Sequence, residues 1–342
     1  MVLGTLVVAA ALGGVVLVRN TYALTEQRVR IPAPDASLDA VLALPEGAGD
    51  VAGGGTVGPG GGRPLGLVVF VHGDGPVDST HESYYRPLWE SFARAGYASL
   101  SWHKPGVAGA PGDWLRQSMD DRAAETAAAV AWARTRPGID PDRIGLWGIS
   151  QAGWVLPKVA ARTTGVRFVI AVSPAVNWLR QGRYNLLAEL RDRGARPEEV
   201  RAALAGREHR LDLLRRGLPY DGTDITPDRW GFIVRNHRAD ATADLRAMPR
   251  RLPVLLVLGG HDLHVDVAET ERVYRRELDP GALRVAFFPE ATHGMVPRAV
   301  EESGLRLTLT ALFDPRSLYT PGVLRTQTEF LPGRAAAGAG AR

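Results

Sequence analysis

Continuous apolar runs, each closed by small or polar turn residues, recur along the chain and set its layout. Leu65–Val71 (LGLVVFV), Tyr97–Trp102, the stretch from Arg143 to Trp147, Phe168–Val172, Pro253–Leu258 and Arg284–Phe288 read as strands, several of them apolar enough to be buried on both faces. Between them Tyr85–Ala95, Met119–Arg134 and Trp154–Arg162 have helical composition. Strands alternating with helices imply right-handed crossovers and a mainly parallel sheet. Ahead of this series, Gln27–Ile31 and Leu38–Leu44 alternate as a hairpin would, with the turn at Pro32-Ala33-Pro34-Asp35. Glu46 to Pro64 is mostly glycine and reads as a surface loop. No Lys-Ser or Lys-Thr follows those glycines, so a phosphate-binding loop is not expected there.

The alternation stops from Asn177 to Arg250, about 75 residues and far beyond an ordinary connection. Within it Pro197–Arg216 carries Val200, Leu204, Leu211 and Leu214 near helical spacing, with Pro197 suited to a first turn. The region is expected to be a helical insertion, a lid or cap between late strands. Its arginines are partly balanced by Asp and Glu, which fits a solvated outer face; an arginine pocket for an acidic substrate group is the rarer reading. A final helix is expected over Arg298–Phe313.

The domain layout expected is therefore an N-terminal hydrophobic segment over residues 1–24, one α/β domain over 25–320 with its insertion at about 177–250, and a flexible tail over 321–342. Val2–Val18 is an unbroken apolar run, at about 17 residues the short end for a membrane span. It has no basic n-region beyond the amino terminus. Thr21-Tyr22-Ala23 is a poor cleavage site, so an anchor is favoured over a cleaved signal. Arg19, Arg28 and Arg30 would hold the domain on the cytoplasmic side. A membrane-associated or exported protein, touching the membrane through residues 2–18, is the expectation; a buried first strand or a misplaced start is the alternative.

Composition narrows the function classes. With 342 residues, 45% of them hydrophobic, the chain can bury a large core. Net charge is +4, yet arginine is spread along the chain and no compact basic run occurs, so nucleic acid is not an expected partner. The absence of cysteine removes disulfides, thiol catalysis and thiolate metal sites.

One stretch carries the chemistry. In RIGLWGISQAGW, Arg143 to Trp154, the end of a strand meets the small residues Gly148-Ile149-Ser150-Gln151-Ala152-Gly153 and then a helix. A strand turning sharply into a helix with serine at the apex is the form of a nucleophile elbow. Position 152 is Ala152 where the strict pattern has glycine, with Gly153 next, a tolerated variant. Serine-based hydrolysis needs a nucleophile, a base and an orienting acid, each in a loop after a strand. Ser150, Asp262 and His293 stand at such places, in the order expected for this topology.

With H-G-D-G-P at 72–76, G-I-S-Q-A-G at 148–153, G-G-H-D-L-H-V at 259–265 and A-T-H-G at 291–294, the chain from about Gln27 to Phe313 resembles the α/β-hydrolase superfamily. Within it the chain is most similar to the esterase and acyl-peptidase-like branch that includes dienelactone hydrolase and prolyl-oligopeptidase relatives. The resemblance implies an α/β fold, a mainly parallel sheet with helices on both faces. It makes Ser150 the nucleophile, His293 the general base and Asp262 the orienting acid. It puts the oxyanion hole on the backbone N–H groups of Asp74 and Gln151. Family members more often have a small or apolar residue where Asp74 stands. A carboxylate facing the oxyanion would oppose charge development, so the Asp74 side chain is expected to point away and hold its loop.

Other residues keep alternatives open. Asp266 is a second candidate for the acid. His261 and His264 with Asp266 outline a metal cluster, but neighbours in an extended loop diverge, and no metal is expected. His72 is expected to fix its loop, while His103 and Lys104 line the pocket or sit at the surface. Trp114, Trp154 and Trp178 form either an acyl site or plain core. The reading is a serine hydrolase of the carboxylesterase type, acting on a small-molecule ester, or else a thioester or amide, through an acyl-enzyme and without cofactor. Acyl transfer from the same acyl-enzyme and a non-catalytic binding protein in a hydrolase fold are the alternatives.

Overall fold

A computed structural model describes residues 13–56 and 63–333. Residues 13–19 form helix α1. The elements that follow are β1 (Leu24–Ile31), β2 (Leu38–Pro45), β3 (Leu65–Val71), α2 (Arg86–Arg94), β4 (Tyr97–Trp102), α3 (Met119–Ala133), β5 (Ile139–Ile149), α4 (Leu156–Arg162) and β6 (Val169–Val172). After these come α5 (Trp178–Asp192), α6 (Pro197–Arg216), α7 (Pro227–Asn236), α8 (Thr242–Ala247), β7 (Val254–His261), α9 (Val267–Glu277), β8 (Leu283–Thr292), α10 (Arg298–Glu301), α11 (Gly304–Phe313) and α12 (Val323–Phe330).

The eight strands make one sheet in the order β1-β2-β4-β3-β5-β6-β7-β8. The hairpin β1–β2 is antiparallel and joins β4 antiparallel; every pairing from β4 to β8 is parallel. Alternate residues of β3 explain why its run is apolar throughout. Leu67, Val69 and Val71 enter a cluster with α3, α4, α8 and α9, while Val68 and Phe70 enter another with Leu88, Trp89 and Phe92 of α2 and Val323 of α12. A strand covered by helices on both sides has no polar face to offer. The architecture is that of the α/β-hydrolase fold.

The expected anchor is corrected. Of the run at 2–18, residues 2–12 lie outside the described residues. Among the described residues no helix is long and apolar enough to cross a membrane. The end of α1 is tied to the rest of the chain: Asn20 Nδ2 donates to Leu312 O at 2.8 Å, and the Arg316 guanidinium donates to Arg19 O at 2.9 Å and Thr21 O at 3.1 Å. The membrane-associated location, the transmembrane helix and the membrane contact through 2–18 are therefore withdrawn.

Two other expectations change. The single helix over Arg298–Phe313 is two, α10 and α11, because Ser303 leaves the helical region and its hydroxyl accepts from Arg306 N–H as a new cap. The tail expected over 321–342 begins as α12, whose Val323 is fully buried and whose Gln327 Oε1 accepts from Trp147 Nε1 at 2.6 Å. A buried indole N–H needs a partner, and this one comes from 180 residues further along. Residues 334–342 of that tail lie outside the described residues.

Between β6 and β7 stand α5, α6, α7 and α8. Leu245 of α8 is buried in the helix layer beside the sheet. In contrast, α6 runs for 20 residues with Leu213 as its one buried residue.

Candidate active site

Ser150 directly follows β5 with φ +59°, the left-handed region that costs a side-chain-bearing residue energy. The strain is held by contacts on both sides of the turn. A Cβ on Gly148 would lie 2.6 Å from Ala152 Cβ and 3.1 Å from Val71 O. One on Gly153 would lie 2.3 Å from Ala175 O. Ala152 is thus accommodated because the close approach to the β6 loop is made one residue later, at Gly153. Ser150 O also accepts from Ala175 N–H at 2.9 Å.

After β7, Asp262 is buried, and its Oδ1 accepts from the N–H groups of His264 and Val265, both at 2.8 Å. His293, following β8, donates Nδ1–H to the two Asp262 oxygens at 3.0 and 2.9 Å. That bond fixes the proton on Nδ1 and leaves Nε2 with a free lone pair. Burial alone would raise the Asp262 pKa; the His293 hydrogen bond and the ring's charge once it is protonated, with the Val265 N–H, outweigh it and hold the carboxyl below its ordinary value. Helix α5 braces the same loop. Gln181 Nε2 donates to His264 O at 2.8 Å, Tyr184 Oη to Asp262 O at 2.9 Å and Asn185 Nδ2 to Leu263 O at 3.1 Å. Residues 181, 184 and 185 share one helix face, so three consecutive carbonyls are met by one side of α5.

The loop after β3 approaches Ser150 closely, since a Cβ on Gly73 would lie 3.4 Å from Ser150 Cβ. His72 donates Nε2–H to Trp102 O at 2.6 Å and accepts at Nδ1 from Tyr85 Oη at 3.1 Å. Burial drives its pKa far down, so the ring is neutral. Lys104, buried, donates to Gly73 O at 2.6 Å and Gly75 O at 2.8 Å. Arg122 of α3, also buried, donates to His72 O at 2.6 Å and to Gln151 Oε1. Gln151 Nε2 passes the chain of bonds on to Asp74 Oδ1 at 3.0 Å. The Asp74 carboxylate is taken up there and by Arg229 of α7; burial pushes its pKa up, but the Arg229 bond and charge win and lower it.

Ser150, Gln151, Asp74 and His293 line one cavity of about 550 Å³, with Trp154 and Trp178 also in its wall, stacked at 4.8 Å. Trp114 is not among its lining residues and packs on Phe232 at 5.5 Å. Asp266 is not brought to His293; its carboxylate accepts from Glu269 N–H at 3.0 Å as the cap of α9. His103 accepts from Ser79 N–H at 3.1 Å. His264 lies edge-on to His293 at 4.8 Å. Among the described residues no group of three His, Cys, Asp or Glu side chains is arranged to hold a metal ion.

Sequence reasoning overlooked Arg122, Arg229, the α5 donors and His81, which also lines the cavity. Arg122 had a signal: it shares the buried face of α3 with Glu125, Thr126 and Ala129, where a charge requires a partner.

Comparison with known proteins bears on the family and the fold. Residues 14–210, more than half of the chain, match the X-Pro dipeptidyl-peptidase (S15) family. The chain belongs to that family. The S15 match takes in Ser150 and ends before Asp262 and His293. Among solved structures the chain is similar to an esterase of Pyrococcus furiosus, at TM-score 0.54 and 17% identity over 85% of this chain and 92% of that one. It is similar to the acylaminoacyl peptidase of Pyrococcus horikoshii at TM-score 0.54 and 15% identity, over 92% of this chain and 42% of that one. Such identities speak for the fold. A 48-residue segment is 44% identical to thiohydrolase aneE of Aspergillus aculeatus, 14% of this chain and 15% of that protein's length. The protein is a hydrolase of a serine-type family.

Proposed function

We propose that the protein cleaves carboxylic esters through an acyl-enzyme on Ser150. Ser150 Oγ bonds to the ester carbonyl carbon as its proton passes to His293 Nε2, and Asp262 steadies the imidazolium. The carbon–oxygen bond to the alcohol then breaks, and the alcohol leaves with that proton. Water, deprotonated by the same nitrogen, attacks the acyl-enzyme and releases the acid and Ser150. The backbone N–H groups of Asp74 and Gln151 hold the oxyanion, donors of a kind whose individual removal costs about 10²–10³ in kcat.

The observation that supports this reading is His293, bonded to Asp262 at 2.9 Å and lining one cavity with a left-handed Ser150. An acid-oriented imidazole beside a strained serine is the arrangement acyl transfer to water requires. Fluorophosphonate labelling with peptide mass mapping tests it on wild type and Ser150→Ala. Label on Ser150, lost in the variant, is the expected result; a folded wild type that takes no label would overturn the reading.

A second reading has the S15 match in its favour: a peptide amide as substrate. The same acyl-enzyme serves an amide, with the amine taking the proton from His293. Turnover of an X-Pro nitroanilide in preference to nitrophenyl esters would decide for it.

A further inference from the structure

Between β6 and β7 the helices form a half-open cavity of about 260 Å³, lined by residues of α5, α6 and α7. Leu186, Leu211, Leu214, Ile225, Trp230 and Ile233 supply its apolar wall. Trp230 is fixed there by stacking on Tyr220 at 5.2 Å and by donating Nε1–H to Leu218 O at 3.2 Å. Three charged groups stand on the wall: Arg207 donates to Leu179 O at 2.7 Å, Glu189 accepts from Asn185 Nδ2 at 2.7 Å, and Arg210 lies beside Tyr220.

Two observations connect this space to the reaction. Trp178, Gly182 and Asn185 line both it and the Ser150 cavity, so the two meet along one side of α5. At that seam a glycine stands inside a 15-residue helix, where it is disfavoured, and a Cβ built on it would meet nothing within 4 Å. The third observation concerns α6. An amphipathic helix ordinarily buries an apolar stripe. Here Leu211 and Leu214 are only half-buried and face the empty space.

We propose that this cavity binds the acyl chain of the substrate, making the enzyme selective for unbranched acyl groups of medium length. The proposal rests on Ser150 as the nucleophile. With the carbonyl at Ser150, the chain runs past Trp178 and over Gly182 into the space between α5, α6 and α7. A methylene is close in size to a water molecule at about 30 Å³, so the cavity has room for about eight. Each one buried should raise kcat/KM about fourfold until the space is filled.

The test is kcat/KM of the full chain on nitrophenyl acetate, butyrate, octanoate, decanoate and palmitate, read as the ratio of each ester to acetate. Wild type should rise to octanoate or decanoate and fall at palmitate. Gly182→Leu, which fills the seam, and Leu211→Trp, which fills the far end, should each lower the octanoate-to-acetate ratio at least about tenfold. An active wild type with a flat or falling profile overturns the acyl site and leaves Ser150 as nucleophile. So do Gly182→Leu and Leu211→Trp proteins that keep the wild-type ratio. A wild type that hydrolyses no ester and takes no fluorophosphonate label overturns both.

Discussion

Arg229 and Asp74, 155 residues apart, face each other as a two-bonded ion pair, Nη1 to Oδ1 at 3.0 Å and Nη2 to Oδ2 at 2.5 Å. The pair joins α7 of the insertion to the loop after β3 and neutralises a carboxylate in the wall of the Ser150 cavity. Sequence alone offered Arg229 as one more solvated arginine. In place, it resolves why an acid is tolerated beside the proposed oxyanion donor.

Arg229→Ala should therefore lower kcat/KM about tenfold, because it leaves the exposed Asp74 carboxylate charged in the cavity wall without its main partner. Arg229→Ala with Asp74→Asn should recover most of that loss, the amide removing the unpaired charge. Four-way kinetics on wild type, both single variants and the double variant check this. A double variant no better than Arg229→Ala would mean that the pair acts by holding α7 and not by charge.

The two aspartates after β7 should separate cleanly. Asp262→Asn is expected to cut kcat by about 10⁴, since an amide facing Nδ1 favours the wrong tautomer of His293. Asp266→Ala should leave kcat within a few-fold and cost about 1 kcal/mol of stability, the loss of a helix cap. Steady-state rates and urea unfolding on both proteins give the comparison. Equal kinetic losses would remove Asp262 from the role proposed for it.

The parts of the fold that follow from local pattern were legible in the sequence. Leu65–Val71 and Pro253–Leu258 announce buried strands by composition, and Ser150, Asp262 and His293 each follow such a strand. What was hidden depends on partners distant in sequence. Lys104 reads as a pocket-lining or surface lysine until it is seen buried and bonded to the Gly73 and Gly75 carbonyls. Gln181, Tyr184 and Asn185 are unremarked polar residues until α5 lies across the carbonyls of 262–264. Val323 and Gln327 look like the start of a tail because neither the buried face of β5 nor the Trp147 N–H can be inferred from the terminus. The run at 2–18 misled for the opposite reason, since hydropathy is read without neighbours, and Arg19, Asn20 and Thr21 just beyond it are bonded to Leu312 and Arg316.

Gly153 should be the least replaceable glycine of the elbow. A methyl group there meets backbone, Ala175 O at 2.3 Å, which cannot rotate aside. Gly153→Ala is expected to cost about 1–3 kcal/mol and to lower kcat by displacing Ser150. Ala152→Gly should lower stability by less than 1 kcal/mol, so urea midpoints should rank the two in that order.

His72 makes stability fall with acid in a definite window. Burial, with the charges of Lys104 and Arg122, holds its folded pKa far below 6.5, and the Trp102 carbonyl only partly opposes this. Below pH 6.5 the unfolded chain therefore binds a proton that the folded chain refuses. Stability contributed by the neutral ring is present above that pH and is lost as pH falls toward the folded pKa, by up to about 1.4 kcal/mol per pH unit. His81 and His264, also lowered first by burial, add to the slope. His72→Asn should be less stable at pH 7.5, having lost part of the loop's bonding, yet show a flatter decline between pH 6.5 and 5. Urea unfolding at half-unit pH steps on both proteins measures the two slopes. Parallel slopes would mean that His72 takes up its proton while folded, and would place the acid sensitivity on the other two histidines.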